Sequence, residues 1–143
     1  YTSTTAKEDF VRSLHETGFG VLKNHPISKQ LVSHIYTDWQ TFFDAPEKQR
    51  FLYNKDKQDG YFPPNVSETA KGSTTKDIKE YFHYYPWGQC PEQHKALLDQ
   101  YYQESTALAA ELLTWVEEFT PSKVASLYSQ PLSSMIEKSD KRY

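Results

Sequence analysis

The chain has 143 residues, which suits a single domain able to bury a core without cross-links. Its formal net charge is −3 and no Lys/Arg run exceeds two residues, which argues against nucleic acid and anionic membranes as partners. No apolar run approaches membrane-spanning length, and Tyr1-Thr2-Ser3-Thr4-Thr5 has neither the basic nor the apolar region of a targeting signal. Cys90 is the one cysteine, so no internal disulfide can form, and a reducing cytoplasm is the expected location. Eleven tyrosines point to an aromatic-rich core with polar edges.

In chain order, Thr5-x-x-Glu8 has the form of a capping box, and Ala6, Phe10 and Leu14 follow at helical spacing. A helix over about Ala6–Thr17 is expected, closed by Gly18 in a left-handed conformation. Phe19, Val21 and Leu22 form a short β-prone run bounded by Gly18 and His25-Pro26, and predict a strand. Ser28 caps a second helix, whose apolar stripe is Leu31, Ile35, Trp39 and Phe42. Asp44-Ala45-Pro46-Glu47 starts a short third helix through Phe51-Leu52. Asn54 to Thr75 reads as mainly irregular, punctuated by Gly60, Pro63, Pro64 and Gly72; a loop this long is often functional.

Ile78 to Tyr85 predicts an aromatic strand closed by Pro86-Trp87-Gly88. From Pro91 a long helix is expected, with Leu97, Leu98, Tyr101, Leu108, Leu112, Trp115, Val116 and Phe119 repeating at three and four; it would be roughly 40 Å long. Thr120-Pro121 and Pro131-Leu132 each start a shorter helix. Two regions follow, 1–90 and 91–143. The chain starts almost directly in a helix and stops at Lys141-Arg142-Tyr143 without a closing signal, so a fragment is expected.

The histidines are His15, His25, His34, His83 and His94, and none stands two residues before an acid. The first two ligands of a 2-His-1-carboxylate iron site are therefore absent, as is any His-Glu-x-x-His, and one cysteine cannot make a Cys-based zinc centre. No catalytic residue and no metal ligand is assigned. His15 at a helix end suits the dipole there, and His83, opposite its strand neighbours Phe82 and Tyr84, suits a hydrogen-bonded structural role. There is no Gly-x-Ser-x-Gly elbow, no phosphate-cradling glycine loop, and no partner histidine for Cys90. Asp77, Lys79 and Glu80 at a strand start read as solvated or paired charges.

An ordered series of landmarks carries a resemblance. It runs through Gly18-Phe19-Gly20-Val21-Leu22-Lys23-Asn24-His25, Ile27-Ser28, Phe42-Phe43-Asp44-Ala45-Pro46, Gly60-Tyr61-Phe62, Ala70-Lys71-Gly72 and Lys76-Asp77-x-Lys79-Glu80-x-Phe82. From about Phe10 to Pro86 the chain resembles the N-terminal region of isopenicillin N synthase-like iron(II)/2-oxoglutarate-dependent dioxygenases. The resemblance implies an α+β fold, with helices packed on strands of an incomplete double-stranded β-helix (jelly roll). It implies that the strands at Phe19–Leu22 and Tyr81–Tyr85 join that barrel, and that Gly60-Tyr61-Phe62 approaches a substrate pocket. The iron ligands and the 2-oxoglutarate-binding arginine of such enzymes come from the later, barrel-forming half.

Two functions are thus expected as alternatives. In the first, the chain is the substrate-facing part of an iron(II)/2-oxoglutarate-dependent oxygenase of a small molecule. Gln58, Tyr61 and Phe62 would line the pocket, and iron(II) and 2-oxoglutarate would bind the parent enzyme rather than this chain alone. In the second, it is a stand-alone, non-catalytic module that binds a protein through exposed strand edges.

Overall fold

A computed structural model describes residues 1–66, 69, 71, 72, 74–76 and 78–137. Ala70 and Asp77, two of the landmark residues, and the terminal Lys141-Arg142-Tyr143 lie outside the described residues. The fold is α+β: helices α1 (Ala6–Thr17), α2 (Lys29–Asp44), α3 (Glu92–Phe119), α4 (Ser122–Ala125) and α5 (Leu132–Glu137), with strands β1 (Gly60–Phe62) and β2 (Tyr81–His83). The chain divides into two compact units, one comprising Tyr1–Ile27 with the chain from Tyr102 on, the other Ser28–Tyr101.

In the first unit, α1 ends as its sequence dictates. Gly18 adopts φ 78°, and its N–H donates to the Leu14 carbonyl at 2.9 Å. The start of α1 differs from expectation, because Thr5 makes no side-chain cap. Its hydroxyl lies 3.1 Å from Ser3 Oγ and bonds the Asp9 carboxylate, which with Arg12 holds Asp9 below the ordinary carboxylate range. Phe10 meets Trp115 of α3 edge-on, with ring centres 5.9 Å apart, and Tyr1 stacks on the same indole at 5.5 Å. Trp115 is buried as a result.

The strand expected at Phe19–Leu22 does not form. Phe19 is 76% and Val21 88% exposed, and the Phe19 carbonyl accepts instead from the Ser13 hydroxyl at 2.7 Å. β propensity needs a neighbouring strand and a surface to pack on, and among the described residues this segment has neither.

In the second unit, Ser28 caps α2 by accepting from the N–H groups of Gln30 and Leu31. Leu31 and Phe42 on the α2 stripe are buried, while Tyr36 is exposed. Pro46 opens a 3-10 helix to Phe51, placed as expected but wound more tightly than an α-helix. The start of α3 adds Leu98 and His94 to the core, His94 stacking on Trp39 at 5.6 Å.

Residues 54–66 are more regular than expected. Asn54 Oδ1 accepts from the N–H groups of Asp56 and Lys57, closing a tight turn. The chain then pairs as β1, antiparallel to β2, with Gly60 opposite His83, Tyr61 opposite Phe82 and Phe62 opposite Tyr81. The strand expected over Ile78 to Tyr85 shortens to Tyr81–His83, matching its short partner, and Ile78 is exposed. Among the described residues these are the two strands of the one sheet.

Candidate functional site

The β1–β2 hairpin has two faces, because side chains alternate along each strand. Tyr61 and Phe82 point to the helical side. There Phe82 meets Trp39 at 4.8 Å and Phe42 at 5.5 Å, and Tyr61 meets Phe43 at 6.2 Å. Phe62, Tyr81 and His83 occupy the opposite face. Phe62 lies between Tyr53 at 4.6 Å and Tyr81 at 4.7 Å, the latter nearly parallel at 9°, and His83 lies 4.6 Å from it.

The three pocket candidates therefore separate. Tyr61 is 1% exposed, and its hydroxyl donates to Glu80 Oε2. Lys48 donates to the same oxygen at 2.9 Å and lies over the Tyr61 ring at 5.5 Å. Donation from Tyr61 and the Lys48 charge hold the Glu80 carboxyl below its usual range, against the effect of burial. Burial, then the hydrogen bond to Glu80, push the Tyr61 hydroxyl up, and bonding to Glu80 raises Lys48. This trio ties the 3-10 helix to both strands.

Phe62 is buried in the aromatic stack of the opposite face. Gln58, just before β1, sits at φ 56° with its side-chain amide donating to the Lys55 carbonyl at 2.5 Å. Its contribution to the Phe62 face comes from its backbone: the Gln58 carbonyl lies 3.1 Å from His83 Nδ1.

Asp59 fixes the entry to β1. It is 2% exposed, and its Oδ2 accepts from the Gln89 N–H at 2.9 Å. The Gln89 side-chain amide donates to the Leu52 carbonyl at 2.8 Å and the Asp59 carbonyl at 3.1 Å. Gly60 (φ 99°) makes room for that amide, since a Cβ there would stand 2.2 Å from Gln89 Nε2. Lys48, Asp59 and Gln89 escape a reading of the sequence because their partners lie 30 or more residues away or on the backbone. The charged residue directly before the aromatic strand, Glu80, was the one available signal, and it is paired as expected.

Among the described residues no three His, Cys, Asp or Glu side chains converge as a metal site, and His83 and His94 stack within aromatic clusters. The described donors therefore do not converge in the way an iron centre needs. Burial pushes the Cys90 thiol up to about 11, the direction opposite to the one that activates a thiol.

Comparison with known proteins gives the relationship. The family described as "non-haem dioxygenase in morphine synthesis N-terminal" matches residues 2–115. Azadirone synthase LFS of Melia azedarach is 33% identical over 70 residues, covering 48% of this chain and 21% of that protein. A Shewanella oneidensis protein, crystallised under an inferred oxygenase activity, superposes with a TM-score of 0.88 at 50% identity, over 99% of this chain and 50% of that one. The chain thus spans half or less of the length of these relatives. With the match extending from α1 into α3, the chain belongs to the N-terminal region of the isopenicillin N synthase-like non-haem dioxygenases.

Proposed function

We propose that this chain is the substrate-facing N-terminal part of an iron(II)- and 2-oxoglutarate-dependent oxygenase that oxidises an unactivated C–H bond of a small molecule. The observation that carries the reading is the aromatic face of the hairpin, where Phe62 stands among Tyr53, Tyr81 and His83 on the side turned away from the helices. Iron and 2-oxoglutarate belong to the remaining part of the parent enzyme, since no His-x-Asp occurs in this sequence. No helix among the described residues is long and apolar enough to cross a membrane, and Cys90 suits a cytoplasmic enzyme.

In this reading β1 and β2 are edge components of a double-stranded β-helix that the later half completes. Residues 1–90 form the dioxygenase N-terminal region, and 91–143 lead into the barrel. Phe62 supplies apolar contact to the substrate, and Gln58 shapes the rim. Tyr61 acts from the other face, holding the hairpin through Glu80 and Lys48.

The test is the gene and its full-length product. The reading frame is expected to continue into a His-x-Asp and a distant His, and the product to form succinate from 2-oxoglutarate only with iron(II) and O₂. A frame that stops at Tyr143, with no barrel encoded beside it, overturns the reading in favour of a stand-alone protein-binding module. Stoichiometric, micromolar binding of Mn(II) to this chain alone overturns the assignment of the metal to the other half.

A further inference from the structure

Beside its tyrosine hydroxyls, the aromatic face carries an imidazole whose orientation a backbone carbonyl fixes. His83 Nδ1 lies 3.1 Å from the Gln58 carbonyl oxygen, which can only accept a hydrogen bond. The proton of the neutral imidazole is therefore on Nδ1, and Nε2 is left as an acceptor. Among the described residues the Gln58 carbonyl is the hydrogen-bond partner of this ring, and Nε2, on a half-buried side chain, is open to solvent. The two atoms that enforce this arrangement are set by backbone geometry. Gln58 is held at φ 56° by the Asn54 turn, and the register places His83 opposite Gly60, two residues further on. Around the ring stand flat side chains: Phe62 at 4.6 Å, Tyr81 at 5.0 Å and Tyr85 at 6.5 Å.

We infer that His83 is a specificity-determining residue that selects a flat, uncharged substrate bearing a hydroxyl or N–H donor. The inference rests on the substrate-facing reading of this hairpin and adds the chemical class of the substrate. Stacked rings favour a planar molecule, because offset stacking adds to burial alone. A neutral acceptor fixed among them rewards a donor and leaves an analogue without one to desolvate Nε2 with nothing in return.

The experiment uses the full-length protein with ¹⁵N-labelled histidine, at about pH 8, where an ordinary imidazole is neutral. The probes are 2-naphthol and its methyl ether, 2-methoxynaphthalene, which differ in one donor. The His83 ring is expected to show the proton on Nδ1, and its Nε2 resonance to move with 2-naphthol. 2-Naphthol is expected to bind about fivefold to tenfold more tightly than the ether, the range of one net hydrogen bond. The variant His83→Phe keeps a ring in the stack and should bring the two affinities within about twofold of each other, by loss of that bond.

A proton on Nε2, equal affinities in the unaltered protein, or a preference that survives in His83→Phe each overturns the inference. So does failure of both probes to perturb His83. None of these readouts needs turnover, so loss of the oxygenase reading, measured as succinate, is separately visible.

Discussion

The two faces of one short hairpin are built on opposite principles. The Tyr61–Phe82 face is tied down by charge and packing: a phenol and an ammonium share one carboxylate oxygen, and Trp39 and Phe42 cover Phe82. The Phe62–His83 face is held by ring stacking and by a hydrogen bond from His83 to a backbone carbonyl. Alternation along the strands makes this division possible, since one residue's step moves a side chain from the helix-packed face to the ring-stacked face, both Tyr61 and Phe62 being buried. Neighbours as alike as Tyr61 and Phe62 therefore have different surroundings, and substitutions should separate them.

The largest effect is expected where both faces depend on one atom's space. Gly60→Ala would put a Cβ at 2.2 Å from Gln89 Nε2 and 2.6 Å from the Phe51 carbonyl, at a φ of 99°. A loss of more than about 3 kcal/mol in denaturant unfolding is expected, from clash and left-handed strain together. A variant as stable as the parent would show that the Gln89 latch is dispensable.

Next come the scaffold residues. Tyr61→Phe removes the donor to Glu80 and should cost about 1.5–3 kcal/mol, as for a hydrogen bond to a charged group. In the full-length enzyme it should lower stability more than it changes the ratio of product formed to 2-oxoglutarate consumed. Phe62→Leu keeps most of the volume and should do the reverse, uncoupling oxidation from co-substrate consumption at a stability cost below about 1.5 kcal/mol. Equal uncoupling by both variants would dissolve the distinction between the faces.

The pH dependence of stability should also carry the signature of the trio. Glu80 is lowered in the folded state, so its contribution is present above its ordinary 4.5 and is lost as pH falls through the lowered folded value. Tyr61 and Lys48 are raised, so theirs are present below 10.0 and 10.5 and are lost as pH rises through the raised folded values. Melting followed against pH should therefore show a plateau between these limits, with the acid arm reduced in Glu80→Gln. The smallest effect is expected at Gln58→Gly, which relaxes the left-handed backbone but frees the chain, for a net change within about 1 kcal/mol. Because the bond to His83 uses the backbone carbonyl, the imidazole tautomer should survive this change.

How much of this was legible follows from where each signal is stored. Gly18 and Ser28 announce helix ends because their partners are within four residues, and the α3 periodicity is written in the helix itself. The alternation that sets His83 against Phe82 was likewise readable. Strands are different, since their existence depends on a partner: Phe19–Leu22 has the better β composition, yet Gly60–Phe62 is the segment that pairs. The Thr5 cap failed because Ser3 and Asp9 compete for its hydroxyl. The landmark series identified the family, but it could not say that Tyr61 and Phe62 face apart, because that depends on Gly60–Phe62 forming a strand against β2.

The first unit draws on both ends of the sequence, with Lys7 paired to Glu118 and Tyr1 bonded to Glu111. During synthesis on the ribosome, α1 emerges long before the part of α3 that Phe10 packs against. The Ser28–Tyr101 unit is contiguous and has its partners within reach as soon as it emerges. Assembly of these two units should therefore begin with Ser28–Tyr101, while α1 waits, its apolar stripe uncovered, for the Trp115 indole.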